Sequence, residues 1–408
     1  MAQKMIKVYG YRWVVLLAFM FVVAMNQLLW ITFAPITSDS AQFYGVSNLS
    51  IGLLSMSFLI VYIIVSIPAS WVIDTYGIRV SVGIGAVLTG IFGLLRGFAG
   101  HNYSLVLVSQ IIIAIGQPFI LNAITTVAAR WFPIKERATA SGLGSLAAYL
   151  GIFLGLILTP YLTIQYGINS MLIFYGILSL LPMFTFFLFV KERPLPPPCP
   201  PESEVRSLVF DGYKDALRNK NFLLLLVIFF VGLGAFNAVT TWIEEMLSPR
   251  GFSISQAGIT GGLMIVGGII GALILPSLSD HYRRRIPFII VAILGAIVGL
   301  IGVTYAATYT LLLIFAFIMG FFLLSAGPIG FQYAAEVTHP APEGTSNGLL
   351  LLMGQISGII FIFGMDAIKS PVTGSMTLSL DILIGLMLLS LILCFRLKES
   401  PVMPINEK

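Results

Sequence analysis

The sequence predicts an all-α membrane protein: twelve transmembrane helices in two parallel, pseudo-symmetric six-helix halves. Three observations predict it. Of the 408 residues, 58% are hydrophobic and 10% are charged, with a mean hydropathy of +0.99, whereas soluble domains carry about 25% charge. Twelve apolar runs reach the length of about 20 residues that a helix needs to cross the hydrocarbon layer. Residues of the first half also recur in the second at a constant spacing of 206 positions.

The runs occupy 12–36, 51–73, 80–99, 104–129, 138–160, 169–190, 222–247, 255–279, 286–306, 309–335, 344–368 and 375–396. They are continuous and not ten-residue alternating segments, which excludes a barrel. The first run stands behind Lys4, Lys7 and Arg12; it is too long for a signal peptide and no small-residue cleavage site follows, so it reads as a span. All but Arg96, Arg250 and Lys369 of the 22 lysines and arginines fall on one side of this topology. The positive-inside rule then places both termini in the cytoplasm, with the chain in the cell membrane. Residues 1–190 form one half, 191–221 a linker and 222–408 the other half. Within the linker "RPLPPPCPP" is a stiff polyproline stretch. Val205, Leu208, Val209, Ala216 and Leu217 follow at helical spacing, as in an amphipathic helix lying on the membrane or a solvated helix with a weak apolar stripe.

The repeat is sharpest in two polar islands. "VIDTYGIRV" (72–80) and "LSDHYRRRI" (278–286) share Asp-x-Tyr-x-x-Arg, with Asp74 matching Asp280 and Arg79 matching Arg285. The same spacing joins Gly52 to Gly258 and Ala128, Ala129, Thr139, Gly142 and Leu143 to Ala334, Ala335, Thr345, Gly348 and Leu349. Parallel six-span halves of this kind build the major facilitator transporters, and the first island resembles the signature of their 2–3 loop. Asp74, Gly77 and Arg79 fit it, while Ser70, and Pro276 in the second copy, replace its first glycine. An aspartate ending a helix sits at the unfavourable pole of that helix's dipole, so it needs an arginine or another helix's N-terminus. The resemblance implies Thr345 and Ser346 as neighbours of Asp74, and Ala138 and Thr139 as neighbours of Asp280. Asp74, Arg79, Asp280, Arg285 and Thr345 are therefore the expected cytoplasmic gate. Gly151-x-x-x-Gly155, Gly267-x-x-x-Gly271 and Gly354-x-x-x-Gly358 permit close helix contact and are expected to serve sliding pairs between the halves.

Three stretches are narrower in type. "NQLLWI" (26–31), "QPFILNAITTVAARWF" (117–132) and "GPIGFQYAAEVTHPAPEGTSNGLL" (327–350) resemble the feline leukaemia virus subgroup C receptor-related family, with Gln355 following. That resemblance implies a carrier of choline, ethanolamine, haem or another small amphiphile, with Trp30 holding a quaternary ammonium and Gln117 and Gln355 in the central site. The chain departs from the family at Phe236-Asn237, where a tyrosine pair is usual, at Ala148-Tyr149, and at Gln332, where a glutamate is usual.

The residues themselves converge on the same region. Trp30 and Phe236 are one repeat apart, as are Tyr149 and Gln355. At about 1.5 Å per residue, Tyr149 and Gln355 lie roughly 15–20 Å from the cytoplasmic ends of their helices, near mid-membrane. Asn26, Gln117, Asn122 and Asn237 add amides that are costly against lipid. Each amide serves either a cavity or helix-to-helix glue. Two aromatics one repeat apart suit a cage for an organic cation. No carboxylate stands at mid-membrane: Glu244, Asp366 and Asp381 lie near the external ends and are expected to form a vestibule that attracts cations.

Other classes fare poorly. "GIGAVLTG" (83–90) lacks the spacing of a dinucleotide loop, and no histidine pairs with an acid, so an enzyme is not expected. His101, His281 and His339 are scattered, which predicts no metal site, and no cofactor is expected. Cys199 and Cys394 suggest no disulfide framework. The net charge of +5 is topological, so the partners are a small-molecule substrate and the bilayer, not nucleic acid, and the chain is expected to be monomeric. The reading is a transporter that alternates access around a neutral aromatic-and-amide site. A carrier of small organic anions or drugs, and a transporter-derived receptor without flux, remain the alternatives.

Overall fold

The computed structural model describes residues 8–194, 196, 198, 212–339, 341 and 343–400. Every long apolar run is helical, because a backbone without water must satisfy its own N–H and C=O groups. The first unit contains α1 (Arg12–Ile31), α2 (Thr37–Tyr44), α3 (Asn48–Tyr76), α4 (Ile78–Gly97), α5 (Tyr103–Leu121), α6 (Ile124–Trp131) and α7 (Arg137–Phe189). The second contains α8 (Tyr213–Arg218), α9 (Lys220–Thr241), α10 (Ile243–Leu247), α11 (Ile254–Tyr282), α12 (Ile286–Tyr305), α13 (Tyr309–Thr338), α14 (Glu343–Ile368) and α15 (Thr377–Cys394). Local sequence sets several starts. Ser47, Asn102, Asn219 and Thr308 cap α3, α5, α9 and α13 with their side-chain oxygens, and Ser253 with Gln256 closes a capping box on α11, each satisfying amides that a helix start leaves unpaired.

Among the described residues, eleven helices are long and apolar enough to cross a membrane. One of them, α7, runs 53 residues with Gly167 at φ 79° and ψ 163° inside it. At 1.5 Å per residue it would measure about 80 Å, far beyond the roughly 30 Å of a hydrocarbon core. The chain changes direction at Gly167, where only glycine adopts that backbone cheaply. Counted as two segments, α7 brings the spans to the expected twelve. The linker expectations fall largely outside the described residues, including the polyproline stretch and Val205, Leu208 and Val209; Ala216 and Leu217 lie in the short α8.

The chain folds as two compact units, one of Met1–Phe33 with Asp39–Leu208, the other of Ala34–Ser38 with Val209–Lys408. Five residues, the 3₁₀ turn Ala34–Ile36 and the first two residues of α2, thus belong to the second unit. The core of the first unit gathers Val15, Phe19, Val82, Ala86, Ile120, Val127, Trp131 and Phe186 from α1, α4, α5, α6 and α7. The small-residue motifs correct an expectation. A side chain at Gly151 or Gly155 would strike Ala24 O or Ile31 of α1, one at Gly267 or Gly271 would strike the backbone of Phe317 or Phe321 in α13, and one at Gly354 would strike Leu233 of α9. At these glycines the close neighbours belong to the same unit, α1 with α7, α11 with α13 and α9 with α14, where the sequence suggested pairs between the halves.

Candidate functional site

The polar residues expected at mid-membrane divide into two kinds. Asn26 is fully buried on α1; its Nδ2 donates to Thr89 Oγ1 at 3.0 Å and to Ile113 O at 3.5 Å, and its Oδ1 accepts from Gln27 Nε2 at 3.3 Å. Asn122 sits where Pro118 and the end of α5 interrupt the helix before α6. It accepts from Tyr62 OH at 2.7 Å and donates to Ser66 O, Ser66 Oγ and Ser70 Oγ at 3.0–3.1 Å. It stitches α5 to α3. Trp30 is buried with Nε1 donating to Ser55 O at 3.1 Å, and Asn237 donates Nδ2 to Gly354 O at 3.1 Å. These four groups spend hydrogen bonds inside their own unit.

Gln117, Tyr149 and Gln355 are the other kind. None of their side chains forms a hydrogen bond with another described residue, and Gln355 Oε1 is buried without a partner. Gln117 lies one turn before Asn122 on α5, and Tyr149 and Gln355 keep their repeat positions on α7 and α14. Phe236 is buried on α9. A buried amide left unpaired costs about 1–3 kcal/mol, so unspent polar capacity in a span is where a ligand's polar atoms gain most.

The charged islands are built more fully than their sequence shows. In the first unit the chain leaving α7 carries Glu192. Its Oε1 accepts from Ile78 N at 3.1 Å and its Oε2 from Arg79 N at 2.8 Å, and the carboxylate pairs with Arg130 at the end of α6. It therefore occupies the positive pole of α4. Gly77 makes room: a side chain there would overlap the Glu192 carboxylate, and φ is 89°. Asp74, Thr75, Tyr76, Gly77, Arg130, Glu192 and Arg193 surround a polar cleft of about 230 Å³. The second unit repeats the device. Glu399 accepts from Arg285 N and Ile286 N at 3.1 Å, now at the start of α12. Arg285 donates to Asp280, to Ser279 Oγ at 3.1 Å and to Glu336 Oε1 at 2.9 Å, and Gln332 adds a 3.0 Å bond to Glu336. Burial works against the Arg285 charge, but Glu336 and Asp280 outweigh it and hold the guanidinium above its ordinary pKa. Thr345 and Ser346 are buried near the start of α14.

Glu192, Glu399, Arg130 and Glu336 escaped the sequence reading. The signal was present: Lys191-Glu192-Arg193-Pro194 matches Lys398-Glu399-Ser400-Pro401 at a spacing of 207, one residue off the 206-residue repeat. The vestibule acids are engaged rather than open. Glu244 is 2% exposed and accepts from Ser38 N and Oγ at 3.0 Å. Lys369 bridges Glu245 at 2.8 Å and Asp366 at 2.7 Å; burial lowers its pKa, and these carboxylates more than restore it. Asp381 accepts from Tyr305 OH at 2.6 Å.

Residues 12–362 match the model of the Major Facilitator Superfamily. The chain belongs to that superfamily. It is 29% identical over 381 residues to Solute carrier family 49 member A3 of Danio rerio, covering 89% of this chain and 80% of that one. It is also 29% identical over 406 residues to the Choline/ethanolamine transporter FLVCR1 of Felis catus, covering 93% and 72%, and 29% identical over 386 residues to the human Choline/ethanolamine transporter FLVCR2, covering 90% and 73%. Among solved structures, a bacterial homolog to the human lysosomal transporter Spinster, inward-facing and unoccupied, has the same fold, with a TM-score of 0.73, 16% identity and coverage of 97% and 100%. This superfamily member is a multi-pass membrane transporter and not an enzyme, and it takes a small-molecule substrate across the bilayer.

Proposed function

We propose that the chain carries a small organic cation or amphiphile of the choline type by alternating access, from the cell membrane with both termini cytoplasmic. The observation that carries this reading is the division of the mid-span polar groups. Gln117, Tyr149 and Gln355 have hydrogen-bonding capacity to spare, and they accompany Trp30 and Phe236, two aromatics one repeat apart. Relatives whose names include choline and ethanolamine transport share most of the chain. In this reading the aromatics hold the cationic head, the unspent amides and phenol orient the polar end, and Asn26, Asn122 and Asn237 hold helices in place. Asp74, Arg79, Asp280, Arg285 and Thr345 act as the cytoplasmic gate, with Glu192 and Glu399 fixing the helix starts on which it turns. Glu244, Asp366 and Asp381 raise the local cation concentration outside.

Uptake of labelled choline and ethanolamine into vesicles reconstituted with the purified protein tests this, with lactate and pyridoxine as comparison solutes. Choline or ethanolamine flux that saturates is the expected result. Trp30→Ala should weaken apparent affinity about tenfold, the equivalent of about 1.4 kcal/mol of cation–π contact in a desolvated site, and Trp30→Phe should lose less. Flux of lactate alone replaces the reading with an anion carrier. Saturable choline binding with no flux replaces it with a receptor.

A further inference from the structure

Arg96 ends α4 with none of its surface exposed. Its partners are all neutral: Nη1 donates to Leu29 O at 3.0 Å and Gln110 Oε1 at 2.6 Å, and Nη2 donates to Thr32 Oγ1 at 3.3 Å. Its carbon lies 5.4 Å from the centre of the Phe33 ring. No carboxylate pairs with it among the described residues. A guanidinium carries five N–H donors, so two remain, one of them Nε–H, which is buried with no acceptor.

The unpaired donor has company. Tyr44 on α2 meets the same Phe33 ring, centroids 6.4 Å apart, and lies within electrostatic reach of Arg96. Its hydroxyl is buried without a partner, as is that of Ser40 one turn earlier on α2, where residues four apart share a helix face. Gln110, bound to the guanidinium, spends its own Nε2 on Leu29 O at 3.1 Å. The C-terminal end of α1 offers Arg96 the equivalent of about half a negative charge. The rest of a buried positive charge stands uncompensated, and such a charge is costly without an ionic partner. A small anion would supply what is missing: charge for the guanidinium, and an acceptor for the unpartnered Nε–H and Tyr44 hydroxyl.

We propose that Arg96 and Tyr44 form a buried site within the first unit for one small monovalent anion, a halide or a compact carboxylate. The site is separate from the mid-span amides and aromatics proposed to meet the transported solute. The anion's role is to complete the junction of α1, α2, α4 and α5.

The test uses the purified full-length protein in detergent, with its melting temperature followed as sodium gluconate is exchanged for sodium chloride at constant ionic strength. Bromide and formate form two further arms. A saturable rise of several degrees is expected with chloride or with formate, and the arm that saturates at lower concentration names the source. Arg96→Gln should melt at one temperature whatever the anion, and Tyr44→Phe should shift the midpoint to higher anion concentration by severalfold. If Arg96→Gln does not fold, Tyr44→Phe alone decides: an unmoved midpoint overturns the site. A parent melting temperature indifferent to every anion overturns it too and leaves only water there, as does a response that Arg96→Gln retains.

Discussion

The two charge clusters at the repeated Asp-x-Tyr-x-x-Arg islands occupy equivalent places and are wired differently. Each has a glutamate from just beyond the unit's last helix seated on the backbone amides that start a helix, Glu192 on α4 and Glu399 on α12. The arginine answering a carboxylate, however, has changed address. In the first unit it is Arg130; one repeat later that position is Glu336, and the arginine is Arg285. Arg79, the counterpart of Arg285, is left exposed beside an apolar groove of about 560 Å³ lined by Val80, Gly83, Ile84, Val87, Leu88 and Phe187. The capping carboxylate is tied to the fold, because the amides it satisfies belong to every helix start. The ion pair is not tied to one pair of positions: a single change of sign, Arg130 to Glu336, redirects the arginine's role to Arg285.

Burial separates the clusters further, and three experiments, in order of expected loss, probe the comparison. The side chains of Arg285 and Glu336 are 4% and 5% exposed, against 17% and 36% for Arg130 and Glu192. Removing one partner of a buried pair leaves a stranded charge, which costs on the order of 3–5 kcal/mol. Arg285→Met should therefore lower the melting temperature most, and Glu336→Leu added to it should return part of the loss. A single variant that melts with the parent would break the comparison at its strongest point.

Gly77→Ala comes next. It forces a side chain into the left-handed region against the Glu192 carboxylate, and backbone strain of that kind costs about 1–3 kcal/mol. The readout is again thermal unfolding, with hydrogen exchange at Ile78 and Arg79 to show whether the cap itself has opened. Unaltered protection at those amides would mean that Glu192 is not what holds the start of α4.

The smallest effect belongs to Arg130→Ala. A partly exposed pair contributes about 0–1 kcal/mol and is screened by salt, so the variant should melt close to the parent, with the gap closing as ionic strength rises. A loss as large as that of Arg285→Met would show that exposure does not set the hierarchy.

The spans were legible in the sequence because an uninterrupted apolar run has one stable solution in a bilayer, and the duplication was legible because identical residues kept one spacing. The roles of the amides were not. Asn122 and Gln117 stand five residues apart in the same apolar setting, yet one spends its hydrogen bonds on Tyr62, Ser66 and Ser70 while the other makes none. That difference depends on which helix passes opposite, and a single chain of letters does not carry it. The packing of Ala34–Ser38 with the second unit was hidden for the same reason: Glu244 takes Ser38 as its partner from 206 residues away. The small-residue motifs announced close contact correctly but not the identity of the neighbour.

The spacing of 207 between Glu192 and Glu399, against 206 at Leu143 and Leu349, places one more residue in the second copy than in the first. If the halves descend from one duplicated gene, a single codon was gained by the later copy or lost from the earlier one after they separated. The older register still holds at Leu143 and Leu349 and has slipped by Lys191 and Lys398, so the event falls between those landmarks. Each of those intervals contains a bend, at Gly167 within α7 in one copy and between Ile368 and Thr377 in the other. A bend is where one residue more or less disturbs a membrane helix least. The inherited glutamate could thus be carried past the change and set down again on the same two amides.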